Sequence, residues 1–145
     1  MKILIDADGC PVVDITVAVA KKHNLECIIL CDTSHIFSKE GAVTKTVSKG
    51  ADSVDFALVN MILKGDIVVT QDYGLAAMCL AKQAKVINQN GMVYDDFNIE
   101  PLLLSRHTAK KIRKSGGRLG GNKKRIEQND IDFEKEILKL ISLND

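Results

Sequence analysis

The feature that most constrains this chain is a unit that occurs more than once. It is a short run of branched aliphatic residues, a stop at a carboxylate, and then a stretch with helical character. Ile3-Leu4-Ile5 ends in Asp6-Ala7-Asp8, and Ile67-Val68-Val69-Thr70 ends in Gln71-Asp72. Runs this short and this uniformly apolar fit strands buried on both faces. Strands are read over Lys2–Ala7, Cys27–Leu30, Ala42–Ser48, Asp66–Thr70 and Lys85–Asn88. Between them, helices are read over Val12–His23, Ser53–Leu63 and Tyr73–Ala84, the first opened by Pro11. Proline suits that place because its missing N–H would be unpaired there anyway. Strands alternating with helices predict βαβ units, hence an α/β fold with three layers, helices flanking a parallel sheet.

The last third reads differently. Ile99–Lys114 has a helical pattern, and Ser115–Asn122 holds four glycines, too many for a regular element. A final amphipathic helix follows, capped by Asp130 or Asp132, with Phe133, Ile137, Leu138 and Ile141 expected on one face. Residues 98–145 are therefore read as a basic, helical and Gly-rich C-terminal extension of a single domain, 1–145. The 145 residues are enough for one domain with a sizeable core. Tryptophan is absent, so aliphatic side chains must build that core.

Cys10, Cys27, Cys31 and Cys79 lack the paired spacing of a zinc site. Cys27 and Cys31 fall in an apolar run and are expected in the core. Cys10 sits at a loop–helix junction, where neighbouring carboxylates oppose a reactive thiolate. The opening apolar run is broken at Asp6, too early for a signal peptide or a membrane span. The expectation is a soluble, cytoplasmic protein with no membrane partner.

In an open parallel sheet, ligands bind beyond the carboxyl ends of the strands. The first strand delivers Asp6 and Asp8 to that edge. The third is followed by Asp52, with Asp55 one helical turn later. The fourth is followed by Asp72, and the fifth by Asp95 and Asp96. Asp66, at the start of the fourth strand, belongs to the opposite edge and reads as structural. Grouped carboxylates repel and raise one another's pKa. A divalent cation offsets this, and oxygen-only donors suit Mg²⁺ or Mn²⁺. Taken singly, Asp52 or Ser53 could cap the second helix and Asp72 the third. Asp6 has no comparable structural role.

Net charge hides an asymmetry. Arg106 to Arg125 contains nine Lys and Arg and no acid, leaving eleven basic against nineteen acidic residues elsewhere. Blocks of one sign often serve as interaction arms.

The segments Asp6-Ala7-Asp8-Gly9-Cys10-Pro11-Val12, Gly50-Ala51-Asp52-Ser53-Val54-Asp55, Gly65-Asp66-Ile67-Val68-Val69-Thr70-Gln71-Asp72 and Ser115-Gly116-Gly117-Arg118-Leu119-Gly120-Gly121 resemble the YaiI/YqxD family of small bacterial proteins. They occur in the family's order and span nearly the whole chain. The family is similar to the PIN-like nucleases, which implies strand order 3-2-1-4-5. It also implies a Mg²⁺- or Mn²⁺-dependent nuclease acting on RNA or DNA and leaving a 5′-phosphate. Carried over by position, Asp6 and Asp72 match the first and last acids, and Asp52 and Asp55 share the middle role. Asp8 is extra and could orient water. PIN-like proteins often dimerise, so a homodimer is a further expectation. On this reading Lys110, Lys111, Arg113, Lys114, Arg118, Lys123, Lys124 and Arg125 grip backbone phosphates.

Two other readings compete. Ile-Leu-Ile-Asp-Ala-Asp-Gly also resembles the first motif of haloacid-dehalogenase-type phosphatases, with Asp6 as nucleophile and Asp8 as acid. Alternatively the protein binds nucleic acid or a protein partner without catalysis.

Overall fold

The first strand, β1 (Lys2–Asp6), has its three central residues buried. In this computed structural model, residues 1–32, 38–48, 50, 52–116 and 124–143 are described. The expectations for Arg118 and Lys123, and for most of the Gly-rich stretch, fall outside them. Among the described residues the elements after β1 run α1 (Val13–Lys22), β2 (Glu26–Asp32), β3 (Val43–Val47), α2 (Ser53–Met61), β4 (Ile67–Val69), α3 (Tyr73–Ala81), β5 (Lys85–Ile87), β6 (Val93–Tyr94), α4 (Ile99–Lys114) and α5 (Glu127–Ser142). They form one six-stranded sheet in the order β3-β2-β1-β4-β5-β6. All pairs are parallel except β5 with β6.

Strand side chains alternate between faces, and the core divides accordingly. Ile3 and Ile5 of β1 pack with Val13 and Val17 of α1 and with Phe133, Ile137 and Ile141 of α5. Leu4, on the other face, packs with Leu58 of α2, Leu75 and Cys79 of α3 and Ile99 of α4. Helices thus cover both faces, which gives the three layers. Cys27 and Cys31 are buried, as expected.

Several expectations need correcting. β6 was not foreseen, because two residues carry no periodicity. It forms because Gly91, with φ of +90°, turns the chain back on β5. A side chain at Gly91 would meet the backbone oxygen of Asp132 at 2.7 Å, so α5 closes tightly over this turn. The helix α1 starts at Val13, two residues after Pro11. At the start of α5, the expected cap by Asp130 or Asp132 gives way to Asn129, whose Oδ1 accepts the Ile126 N–H at 2.9 Å. The buried face of α5 is Phe133, Ile137, Leu140 and Ile141, whereas Leu138 stays 36% exposed. With Phe133 and Ile137 fully buried, α5 is part of the core rather than an appendage.

Asp66, at the amino edge, is 2% exposed. It accepts the Leu63 N–H at 2.8 Å, the Lys2 N–H at 3.1 Å and the Lys2 ammonium at 2.5 Å. It therefore joins the starts of β1 and β4, the structural role expected of it.

Candidate functional site

At the carboxyl edge, the ends of β1, β2 and β4 and the first turn of α2 bring six aspartates around one open pocket of about 430 Å³. They are Asp6, Asp8, Asp32, Asp52, Asp55 and Asp72. The sequence reading named five of them and missed Asp32. It ended the second strand at Leu30, but the strand continues two residues further to Asp32.

Asp6 closes β1 and is half-buried, with Oδ2 accepting the Thr70 hydroxyl at 2.8 Å. Its carboxyl pKa is pushed up to about 6, first by burial and then by Asp55, Asp72 and Asp8, with the Thr70 hydrogen bond opposing. The same Thr70 hydroxyl accepts the Asp72 N–H at 3.1 Å, so one buried side chain fixes two of the acids. Tyr94 holds this turn from below, its hydroxyl donating to the Thr70 carbonyl at 3.2 Å.

Asp72 does cap α3, accepting the Leu75 N–H at 3.1 Å. It also receives Arg106 of α4 at 3.2 Å, and both bonds fall on Oδ1. Gly74 leaves room for this pair, since a Cβ there would sit 3.2 Å from Asp72 Oδ1 and 3.4 Å from the Arg106 guanidinium.

The structure separates Asp52 from Asp55. Asp55 is half-buried, and its pKa is raised by burial, then by Asp72 and Asp52, against the pull of Arg106. Asp52 is exposed, sits in the left-handed region with φ of 62°, and makes no side-chain bond to cap α2. Asp8 ties two strand ends together, Oδ2 accepting the Asp32 N–H at 3.1 Å. Asp95 lies away from the pocket lining. It accepts the Phe97 and Asn98 N–H groups at 2.8 Å and shapes the turn before α4. Cys10 has its thiol pushed up to about 11, chiefly by burial, so it is neutral at physiological pH.

The donors around the pocket are carboxylate oxygens, the right chemistry for a hard cation. Among the described residues, no three His, Cys, Asp or Glu side chains stand close enough to enclose an ion. These residues do not form an all-protein cage; an ion held here would take one or two carboxylates directly and complete its shell with water and phosphate.

The basic residues divide into two groups. Lys110, Lys111, Arg113 and Lys114 are exposed along the second half of α4. Lys110, Arg113 and Lys114 lie four, seven and eight residues beyond Arg106, which places them on one helix face with it. Arg106 was not singled out from sequence, although that spacing could have identified it. Arg125 is engaged internally, bonded to Asp130 at 2.6 Å, Asn90 Oδ1 at 2.7 Å and the Gln89 carbonyl at 2.8 Å. Lys124 is exposed beside it. No helix among the described residues is long and apolar enough to cross a membrane.

Comparison with known proteins places the chain. It is 51% identical over 142 residues to a UPF0178 protein of Exiguobacterium sibiricum, covering 98% of this chain and 97% of the relative. It is 53% identical over 141 residues to a UPF0178 protein of Ruminiclostridium cellulolyticum, covering 97% and 92%. A UPF0178 protein of Clostridium acetobutylicum is 46% identical over 143 residues, covering 97% of both. No solved structure matches the chain. A family model described as "Uncharacterized BCR, YaiI/YqxD family" spans residues 4–143, and the chain belongs to that family.

Proposed function

We propose that this protein is a PIN-like, metal-dependent nuclease that hydrolyses phosphodiester bonds at the acidic edge of its sheet. The observation that carries this reading is Asp6. A half-buried carboxyl pushed up to about 6 beside Asp55, Asp72 and Asp8 makes folding less favourable. Such an arrangement persists where something outside the fold offsets it.

Of Asp6, Asp55 and Asp72, one or two would hold Mg²⁺ or Mn²⁺ directly and the remainder through its water shell. When bound, such an ion supplies Lewis acidity toward a phosphodiester and lowers the pKa of water. The chain's own residues do the positioning. Thr70 orients Asp6 and Asp72 through one hydroxyl. Arg106 screens Asp72 and stands where it can turn to an incoming phosphate. The basic face of α4 runs on from Arg106 through Lys110 and Arg113 to Lys114, supplying the attraction for a polyanion that an acidic pocket lacks. Asp8, bonded to the Asp32 N–H, is given an anchoring role in place of water orientation.

The phosphatase reading has less support: it also needs a metal-binding acid following a later strand, whereas the Gly65-Asp66 pair that could supply one precedes β4, with Asp66 paired to Lys2 at the opposite edge. One observation favours a non-catalytic binder instead: Asp72 already serves Leu75 and Arg106. The deciding experiment compares wild type with Asp6→Asn on labelled single-stranded RNA, single-stranded DNA and duplexes, with Mn²⁺, Mg²⁺ or chelator. Metal-dependent cleavage lost in the variant is expected. Salt-sensitive binding without cleavage, equal in both proteins, would replace the nuclease with a nucleic-acid-binding protein.

A further inference from the structure

A second cleft, of about 720 Å³, opens beside the acidic pocket, and Gly9 and Gln71 belong to the walls of both. Its chemistry is the reverse of its neighbour's. Among the described residues its lining contains no Asp or Glu, and it includes Lys124, Arg125, Tyr73 and a set of carboxamides from the β5–β6 turn and the start of α5.

Those carboxamides are oriented by their own hydrogen bonds. Asn88 Oδ1 accepts the Asn90 and Met92 N–H groups at 2.9 Å. Asn90 Oδ1 accepts Arg125, and Asn129 Oδ1 accepts the Ile126 N–H. Because each oxygen faces an N–H donor, the assignment of oxygen and nitrogen follows from the bonding. The NH₂ groups of all three have no protein acceptor among the described residues. Gln71 is inverted, its Nε2 donating to the Gly9 carbonyl at 2.8 Å, so its oxygen is the end left over. Gln89 Oε1 is buried with no hydrogen-bond partner among the described residues. Among the described residues the lining thus carries three unused carboxamide NH₂ groups, the free cation of Lys124 beside the internally engaged Arg125, and the unpaired oxygens of Gln71 and Gln89.

Tyr73 adds the apolar element. It follows Asp72 directly and is half-buried. It meets Tyr94 edge-on, ring centroids 6.2 Å apart at 67°. Tyr94 is itself buried and held through its hydroxyl, so the Tyr73 ring is braced from one side.

We propose that this cleft is a nucleotide subsite, which stacks one unpaired base on Tyr73 and takes the attached phosphate on Lys124 and the carboxamide NH₂ groups. Aromatic rings accept bases only once they are unstacked from a helix, so the subsite selects single strands over duplexes. As a substrate-positioning site for the neighbouring acids it rests on the nuclease reading, while the binding itself is measured without metal.

The test is calorimetric titration with AMP, ribose 5-phosphate and inorganic phosphate, all in EDTA. Wild type is expected to bind AMP more tightly than ribose 5-phosphate. Tyr73→Leu should weaken AMP roughly tenfold or more and leave ribose 5-phosphate unchanged, whereas Tyr73→Phe should bind like wild type. Lys124→Ala, at an exposed position that does not threaten folding, should weaken AMP and both phosphates alike. AMP binding no tighter than ribose 5-phosphate, or equal in wild type, Tyr73→Leu and Lys124→Ala, overturns the subsite. AMP binding without cleavage in Mn²⁺ would sink the nuclease reading and leave the subsite standing, and cleavage without AMP binding would do the opposite.

Discussion

At the amino ends of β1 and β4, Asp66 is almost wholly buried and meets an ammonium and two backbone N–H groups. At the carboxyl ends of the same two strands, Asp6 is half-buried and meets one hydroxyl and three other carboxylates. Both are aspartates on the same pair of strands, and their physical situations are opposite. The first has its charge matched within the fold, so its value is structural. The second has its charge opposed within the fold, which is the feature the proposed metal site rests on. Burial alone does not separate the two situations; the sign of the surrounding charge does.

The largest test of this contrast is Asp66→Ala, which strands the Lys2 ammonium and should destabilise by about 3–5 kcal/mol in urea melts. A loss under about 1 kcal/mol would mean the amino edge is not held by this pair. Next, Asp6→Asn keeps an acceptor for Thr70 but removes the charge. Because folding raises the Asp6 pKa from 3.8 to about 6, the native state is helped by protonation. That help is complete below about pH 4 and is lost as pH rises through 6. Relative to the variant, wild type should therefore be weaker by up to ~3 kcal/mol at pH 7 and above, in chelator, and equal to it near pH 4. A variant that melts well below wild type in chelator at pH 7 would make Asp6 structural, like Asp66.

Smaller effects sharpen the picture. Thr70→Val deletes the hydroxyl shared by Asp6 and Asp72 and should cost about 1–3 kcal/mol. It should also move the Asp6 titration, followed by carboxyl NMR, above about 6, because this hydrogen bond is what restrains it. Wild-type Mn²⁺ affinity should fall as pH drops through the Asp6 titration, since a proton then competes with the ion. A flat affinity between pH 5 and 7.5 would remove Asp6 from the ligand set. The smallest is Arg106→Ala. The pair with Asp72 is largely exposed, so stability should change by less than about 1 kcal/mol. The Asp55 pKa should rise further, because Arg106 is the charge that lowers it.

By itself the sequence determined the alternation of strand and helix, the burial of Ile3–Ile5 and Ile67–Val69, and the arrival of Asp6 and Asp72 at one edge. These follow from local causes: side-chain periodicity, branched residues, and a sheet whose parallel strands all end on the same side. Tertiary structure decided which acids face one another. Asp52 and Asp55 lie within one helical turn, and sequence spacing cannot rank them. The left-handed backbone at Asp52 leaves that side chain exposed, while Asp55 couples to Asp72. Asp32 depended on how far β2 is paired, which its neighbour β3 sets. Arg106 reaches Asp72 across 34 positions, and α5 enters the core by closing on Gly91. Such contacts join residues remote in sequence, and they exist only once the chain has crossed the sheet and packed both faces.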